Sequence, residues 1–289
     1  MYVNDPAQPT IVGHYIQPPF SILDRRKGEW RKRTQWWRTQ IPDDAEGRSA
    51  PCNPSEGIMS IGDGISRFDP TIAEIFYRWW TRAGDHIIDP FSGGPTRGLV
   101  AEKMGRKYTG IDIRPEQIAA NRQYGDHWEI GDAAHWSPPP ADAIFTCPPY
   151  LGLEHYSDNP HDLSNMGLED FDTAIHAAIA NTVAALRNHR YIGIVISDVR
   201  GKDGGYQRLP DLIRTALATS GCHIVNSLIV VDPVGKKYLT GWKLLGQSRK
   251  VQRTHQELII AVKGDIRTAA QRLFTPDMHH TPSIGKEPE

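Results

Sequence analysis

Asp142-Ala143-Ile144-Phe145-Thr146-Cys147-Pro148-Pro149-Tyr150 reads as an apolar strand that stops at a Thr-Cys and leaves the sheet through two prolines and an aromatic. Proline fixes φ and removes an N–H donor, so the second half cannot continue a central strand; it steps out stiff and extended, with its carbonyls free to accept. Open α/β sheets place ligands just past the carboxyl ends of their strands, where Tyr150 would offer a flat ring to the crevice. A Pro-Pro-Tyr step also serves as a loop exit or as a ligand for a peptide-binding domain, so the neighbouring sequence decides.

Upstream, Asp69 and Pro70 open a helix as cap and first-turn proline, with Ile72, Ile75, Phe76 and Trp79 on its buried face. After Gly84, His86 to Phe91 reads as a buried strand running into Ser92-Gly93-Gly94-Pro95-Thr96-Arg97-Gly98, a turn that opens a helix through Met104. Gly93 and Gly94 carry no Cβ and are free to take φ > 0, which lets the backbone approach a bound ligand; a turn serving only helix–sheet packing is the alternative. Lys107 to Asp112 reads as the next strand. Asp112 follows Asp89 at close to the ~20-residue offset at which nucleotide-binding α/β folds put an acid on ribose hydroxyls, although a strand-end Asp also caps helices. His127 to Asp132 repeats the pattern.

Downstream, Leu151 to Asn165 is a loop crowded with Glu154, His155, Tyr156, Ser157, Asp158, Asp162 and Ser164, read as a lid or target clamp. Phe171 to Leu186 has the spacing of an amphipathic helix, and Tyr191 to Ser197 reads as a strand ending at Asp198. Another helix follows, with Leu209, Leu212, Ile213, Ala216 and Leu217 on its face. Cys222 to Val231 and Gln256 to Val262 are apolar strands. They enclose a strongly positive excursion, Asp232 to His255, holding Lys236, Lys237, Lys243, Arg249, Lys250 and Arg253. Such a concentration is a solvated basic face or a set of phosphate contacts. A second basic run, Arg25 to Arg38, interleaves Trp30, Trp36 and Trp37, and suits either a DNA clamp or an amphipathic helix laid across the domain with its charges in water.

The chain of 289 residues is 39% hydrophobic and 23% charged, an ordinary globular composition, and its net charge of −1 confines any nucleic-acid surface to local patches. Cys52, Cys147 and Cys222 lack CxxC spacing, which points to a reducing compartment and to no metal. With no membrane-length apolar run and no signal-peptide pattern, a cytoplasmic protein is expected, as monomer or homodimer. Alternating β and α units predict an α/β fold: a mostly parallel, doubly wound sheet with an antiparallel last strand. Residues 66–264 form the expected catalytic domain, with 232–255 as a basic insertion, preceded by an irregular extension (1–65) with a polar loop over Asp43 to Ser55 and followed by a tail (265–289).

Thr-Cys-Pro-Pro-Tyr resembles the [Asp/Asn/Ser]-Pro-Pro-[Tyr/Phe/Trp] motif of the S-adenosylmethionine-dependent amino-methyltransferases that modify N6 of adenine or N4 of cytosine in DNA. The turn resembles that family's Asp-Pro-Phe-x-Gly-x-Gly-Thr: Asp89, Pro90, Phe91, Gly93 and Thr96 match, and Pro95 stands where the second glycine would be. The motif order resembles the gamma arrangement. Segments 18–24, 77–80, 153–158 and 253–256 look like phage and actinobacterial DNA methylases of restriction-modification type. The resemblance implies a Rossmann-like methyltransferase fold. It implies S-adenosylmethionine over Gly93 and Gly94, with Asp89 near its amino group, Asp112 on the ribose and Asp132 near the adenine. It also implies double-stranded DNA as partner, Cys147 and the Pro148 carbonyl on the target amine, and Tyr150 stacked on the base. Cysteine is nearest in shape to the serine of the form associated with N4-cytosine, so cytosine is favoured over adenine. A pyrimidine C5 enzyme with Cys147 as nucleophile, and a DNA-binding protein that has lost activity, are the competing readings. A nicotinamide dehydrogenase is more distant, because the turn does not spell the dinucleotide fingerprint.

Overall fold

A computed structural model describes residues 19–42, 67–152, 157, 159–234 and 237–274. Cys52, the polar loop 43–55, Glu154, His155, Tyr156 and Asp158, Lys236, and the tail beyond residue 274 lie outside the described residues.

In chain order the elements are β1 (Ile22–Asp24), α1 (Gly28–Gln40), α2 (Pro70–Trp80), β2 (His86–Asp89), α3 (Thr96–Lys103), β3 (Lys107–Asp112), α4 (Pro115–Asn121), β4 (Trp128–Ile130) and β5 (Ala141–Thr146). There follow α5 (Leu168–Ala185), β6 (Leu186–Ile196), α6 (Leu209–Thr219), β7 (Cys222–Val231), α7 (Lys237–Ser248), β8 (His255–Lys263) and α8 (Ile266–Leu273). One sheet runs β1-β7-β8-β6-β5-β2-β3-β4, and within it only β8, the last strand in sequence, is antiparallel to its neighbours. This is the expected Rossmann-like plan, a mostly parallel, doubly wound sheet with an antiparallel last strand.

The central strands are apolar on both sides because both faces are covered. Along β6, Tyr191 and Val195 enter the core beneath α1, α2, α3 and α8, while Ile192, Ile194 and Ile196 enter the one beneath α5 and α6. Along β8, Leu258, Ile260 and Val262 face the first core, and Ile259 and Ala261 the second. In the first core Phe76 stacks on Phe145 with centroids 4.5 Å apart. Gly193 makes room for that stack, since a Cβ there would lie 2.4 Å from the Phe76 ring.

Residues 22–40 of the expected extension belong to this same body. β1 adds a parallel edge strand to β7, and α1 buries Trp30 and Trp37 against α2. Glu74, buried on α2, accepts from Trp37 Nε1 at 2.5 Å and from Arg33 Nε at 2.7 Å. A buried carboxylate needs such partners, which is why part of the basic run points inward. The tail also begins inside the fold: Ala269 of α8 is buried and Arg272 pairs with Asp85. Among the described residues no helix is long and apolar enough to cross a membrane.

Candidate active site

Four parallel strand ends and the N-terminal end of antiparallel β8 converge on one cleft. After β2 the chain turns through residues 90–94 into α3. Of the two glycines only Gly93 takes positive φ (49°), and a Cβ there would meet nothing within 4 Å, so this backbone faces open cleft. Its N–H donates to Asp112 Oδ2 at 3.1 Å, and its carbonyl accepts from Asn121 Nδ2 at 2.7 Å. Asn121 is held by Gln117, and Gln117 by Arg114. Pro95 takes αR geometry ahead of α3 and its carbonyl accepts from Leu99 N at 2.9 Å. A proline fits there because the first-turn N–H it lacks has no intrahelical partner.

Asp89 does not line this cleft. It is fully buried, and its carboxylate accepts from Arg97 Nε (2.6 Å), Tyr108 Oη (2.8 Å), Thr146 Oγ1 (2.6 Å) and Phe91 N (3.1 Å). Burial alone would lower the Arg97 guanidinium, but the facing charge of Asp89, with Tyr108, Cys147 and the hydrogen bond to Asp89, outweighs it and leaves the pKa raised. Burial, then Asp89, push the Tyr108 phenol far up. Asp89 therefore holds the turn from beneath, and the expected contact with a ligand's amino group is not where this carboxylate points. Thr96 is likewise buried and does not line the cleft, whereas Pro90, Phe91, Gly93 and Gly94 do. Arg97 lines it too, beneath Phe68, whose ring centre is 4.6 Å from the guanidinium carbon.

Asp112 and Asp132 both reach the cleft. Asp112 Oδ1 accepts from Arg114 N (2.9 Å) and Arg114 Nε (3.2 Å), and Oδ2 from Gly93 N; each carboxylate oxygen carries two lone pairs, so Oδ2 keeps one for a ligand hydroxyl. Asp132 accepts from Ala134 N (2.9 Å) and pairs with His135 Nδ1 (2.8 Å), with His161 Nδ1 at 3.4 Å. Ser92, which sequence reading passed over as the variable position of the turn, lines the cleft with a buried hydroxyl that has no hydrogen-bond partner among the described residues.

The opposite wall is Cys147, Pro148, Pro149 and Tyr150. Cys147 is half-buried and its Sγ lies 3.8 Å from the Tyr150 hydroxyl. That hydroxyl donates to Gln256 Oε1 at 3.4 Å, and Gln256 Nε2 reaches both oxygens of Asp232 at 3.4 Å. Asp232 is paired with Arg25, whose Nε donates to Asp69 at 2.8 Å. Arg25, expected as part of a DNA-facing run, is thus an internal brace; the outward charges of that run are Arg26, Lys27, Arg31, Lys32 and Arg38.

The expected DNA-facing residues of the excursion divide. α7 carries Lys237 at its start and exposes Leu239 (76%), Trp242 (63%) and Lys243. Arg249 is exposed just past its end, at φ 56°, and Lys250 is half-buried. Arg253 turns inward: Nε donates to Ser197 Oγ at 3.1 Å and Nη2 to Glu257 Oε1 at 3.1 Å. Asp198, at the end of β6, receives the Leu209 N–H at the start of α6, the capping role open to any strand-end aspartate. Among the described residues no three His, Cys, Asp or Glu side chains gather to hold a metal ion.

Residues 72–123, from α2 through α4, match the model of the DNA methylase family. Within the curated proteins, the type II methyltransferase M.PvuII of Proteus hauseri is 38% identical over 64 residues, covering 22% of this chain and 19% of that protein. M.Cfr9I of Citrobacter freundii is 44% identical over 52 residues, 17% of each chain. The chain thus matches about a fifth or less of the length of these relatives. Among solved structures, TrmN from Thermus thermophilus aligns with a TM-score of 0.47 at 16% identity, over 68% of this chain and 49% of that one. The chain is accordingly similar to the N4/N6 DNA amino-methyltransferases, most directly across the turn that lines the cleft.

Proposed function

We propose that this chain is a DNA methyltransferase that moves a methyl group from S-adenosylmethionine to an exocyclic amino group of a base, N4 of cytosine in preference to N6 of adenine. The observation that carries the reading is the single cleft that joins the 92–94 turn, Asp112 and Asp132 to Cys147-Pro148-Pro149-Tyr150. The residues present fit the cofactor: a positive-φ glycine bare toward the cleft, a buried hydroxyl at Ser92 unpartnered among the described residues, and two cleft-facing carboxylates. When bound, S-adenosylmethionine would supply an electrophilic methyl group carried on a sulfonium, whose sulfur is the leaving group. Asp112 would accept from a ribose hydroxyl and Asp132 from the adenine amine, and Ser92 would add a hydrogen bond beside the turn.

The chain's remaining task is to make a poor nucleophile attack. The lone pair of an exocyclic amine is delocalised into its ring, so the base has to be extruded and its nitrogen drawn toward tetrahedral geometry by acceptors. Tyr150 provides the stacking face, and the Pro148 carbonyl and Cys147 receive the two amine hydrogens. The nitrogen lone pair would then be free to take the methyl group, and the extra proton would leave to water. Arg249, Lys250, Lys243 and the outer face of α1 supply the phosphate-facing charge.

The test is transfer of labelled methyl groups to unmodified genomic DNA, with the modified nucleoside identified by mass. N4-methylcytosine is the expected product. N6-methyladenine would move the target, 5-methylcytosine would make Cys147 a nucleophile, and absence of transfer would overturn the reading. Cys147→Ser should keep or raise the rate, because serine offers a better acceptor of the same shape.

A further inference from the structure

Two amine hydrogens call for two acceptors, and sulfur is a weak one. The wall beside Cys147 holds a stronger acceptor. Gln256 is the second residue of β8, and because β8 alone runs antiparallel within the sheet, its N-terminal end lies at the carboxyl ends of β5 and β6, on the cleft.

The orientation of its amide follows from what faces it. The Asp232 carboxylate, paired with Arg25, accepts, and the Gln256 nitrogen faces it at 3.4 Å from both oxygens. Asp232 is in turn locked by Arg25, and Arg25 by Asp69, with side-chain exposures of 9% or less for all three. Burying three charges is costly unless each is paired; Asp69 also caps α2 and accepts from Trp30 and Thr34, so the brace ties α1 and α2 to the chain just beyond β7 and holds this amide from there. The consequence is that Oε1 points at the cleft. Among the described residues it accepts there from the Tyr150 hydroxyl alone, at 3.4 Å, beyond the 2.5–3.0 Å usual for O–H···O. The same hydroxyl lies 3.8 Å from Cys147 Sγ, so the sulfur and the amide oxygen face one region of this wall.

We infer that Gln256 Oε1 is the second acceptor for the target amine, making up for the weak sulfur of Cys147, and that Gln256 is therefore a catalytic residue of this cleft. A fixed acceptor also sorts bases. An amino base meets it with a donor, whereas a keto base such as thymine would oppose oxygen to oxygen, which leaves buried polar atoms unpaired. The inference rests on the methyl-transfer reading and names how the same site recognises its substrate.

The test compares the wild type, Gln256→Met, Cys147→Ser and the double variant in methyl transfer to genomic DNA, alongside calorimetric affinity for S-adenosylmethionine and the Kd for DNA. Methionine keeps the length and removes the acceptor. The expected result is a fall in kcat of about ten- to a hundredfold in Gln256→Met, with both affinities unchanged, and substantial recovery in the double variant because the serine oxygen replaces the lost acceptor. Full activity in Gln256→Met overturns the inference. So does a loss that Cys147→Ser does not repair, or a rate that falls in step with cofactor affinity, since either assigns Gln256 to the architecture of the cleft. If the wild type itself transfers nothing to DNA, the underlying reading has failed, a different result from an active wild type with an indifferent Gln256→Met.

Discussion

The hydroxyl of Thr146, the last residue of β5, donates to Asp89, the last residue of β2, across 2.6 Å of buried space. The two motifs of the cleft, the glycine turn after Asp89 and the Pro-Pro-Tyr step after Thr146, are thereby tied below their working surfaces. Asp89 also carries the buried guanidinium of Arg97. Asp89→Asn should therefore behave as a stability variant, because a buried charge left without its opposite costs about 3–5 kcal/mol. Denaturant unfolding is the check. Wild-type stability combined with lost S-adenosylmethionine binding would instead place the carboxylate on the ligand.

Asp112 differs, because it stands between the Gly93 N–H and the open cleft. Asp112→Ala leaves a ligand hydroxyl unpaired at about 1–3 kcal/mol and frees the turn as well. Calorimetry should show affinity for S-adenosylmethionine weakened roughly ten- to a hundredfold, with a far smaller loss of stability than in Asp89→Asn. Unchanged affinity would remove Asp112 from the cofactor site.

The contrast between these aspartates marks how far the sequence could be read. Strand, glycine turn and strand-end acid are local signals, and β2, β3 and β5 lie where the alternation of apolar runs and turns puts them. The partners of a strand-end carboxylate come from distant segments, and nothing in Asp-Pro-Phe announces that Tyr108 and Thr146 will occupy it. The basic runs mislead for the same reason. Charge per residue is visible in Arg25 and Arg253, but the buried carboxylates Asp69 and Asp232 that claim the first, and the part-buried Glu257 that claims the second, are tertiary neighbours. Pro95 looked like a defect because the pattern asks for glycine, yet Gly93 alone needs the positive φ.

That sorting of cations predicts two kinds of variant. Neutralising each phosphate contact on duplex DNA lowers the slope of log K against log salt by about 0.9. Charge reversal at exposed Arg249 and at Lys250 should flatten the measured slope. Arg253→Gln should leave the slope near that of the wild type and lower thermal stability, since it removes the bonds to Ser197 and Glu257. A flattened slope in Arg253→Gln would return that side chain to the DNA.

His255 opens β8 beside the cleft. Burial, and then the charge of Arg253, hold its imidazole below the ordinary histidine value near 6.5, with Glu257 and Asp232 opposing. Above that value neither the folded nor the unfolded chain binds the proton, so His255 contributes no slope. Below it the unfolded chain takes the proton first, so stability falls with pH until the folded group also protonates, and then levels. His127, also lowered by burial, adds to the same window. Glu257 acts in a separate one: Arg214 and Arg253 outweigh burial and hold its carboxyl below the usual range, so its contribution is present above about 4.5 and lost only in stronger acid. Melting temperatures measured from pH 8 to pH 5.5 should therefore decline below about 6.5, and His255→Gln should make that decline shallower. A decline of unchanged steepness in the variant would show that this imidazole is not the group taking the proton.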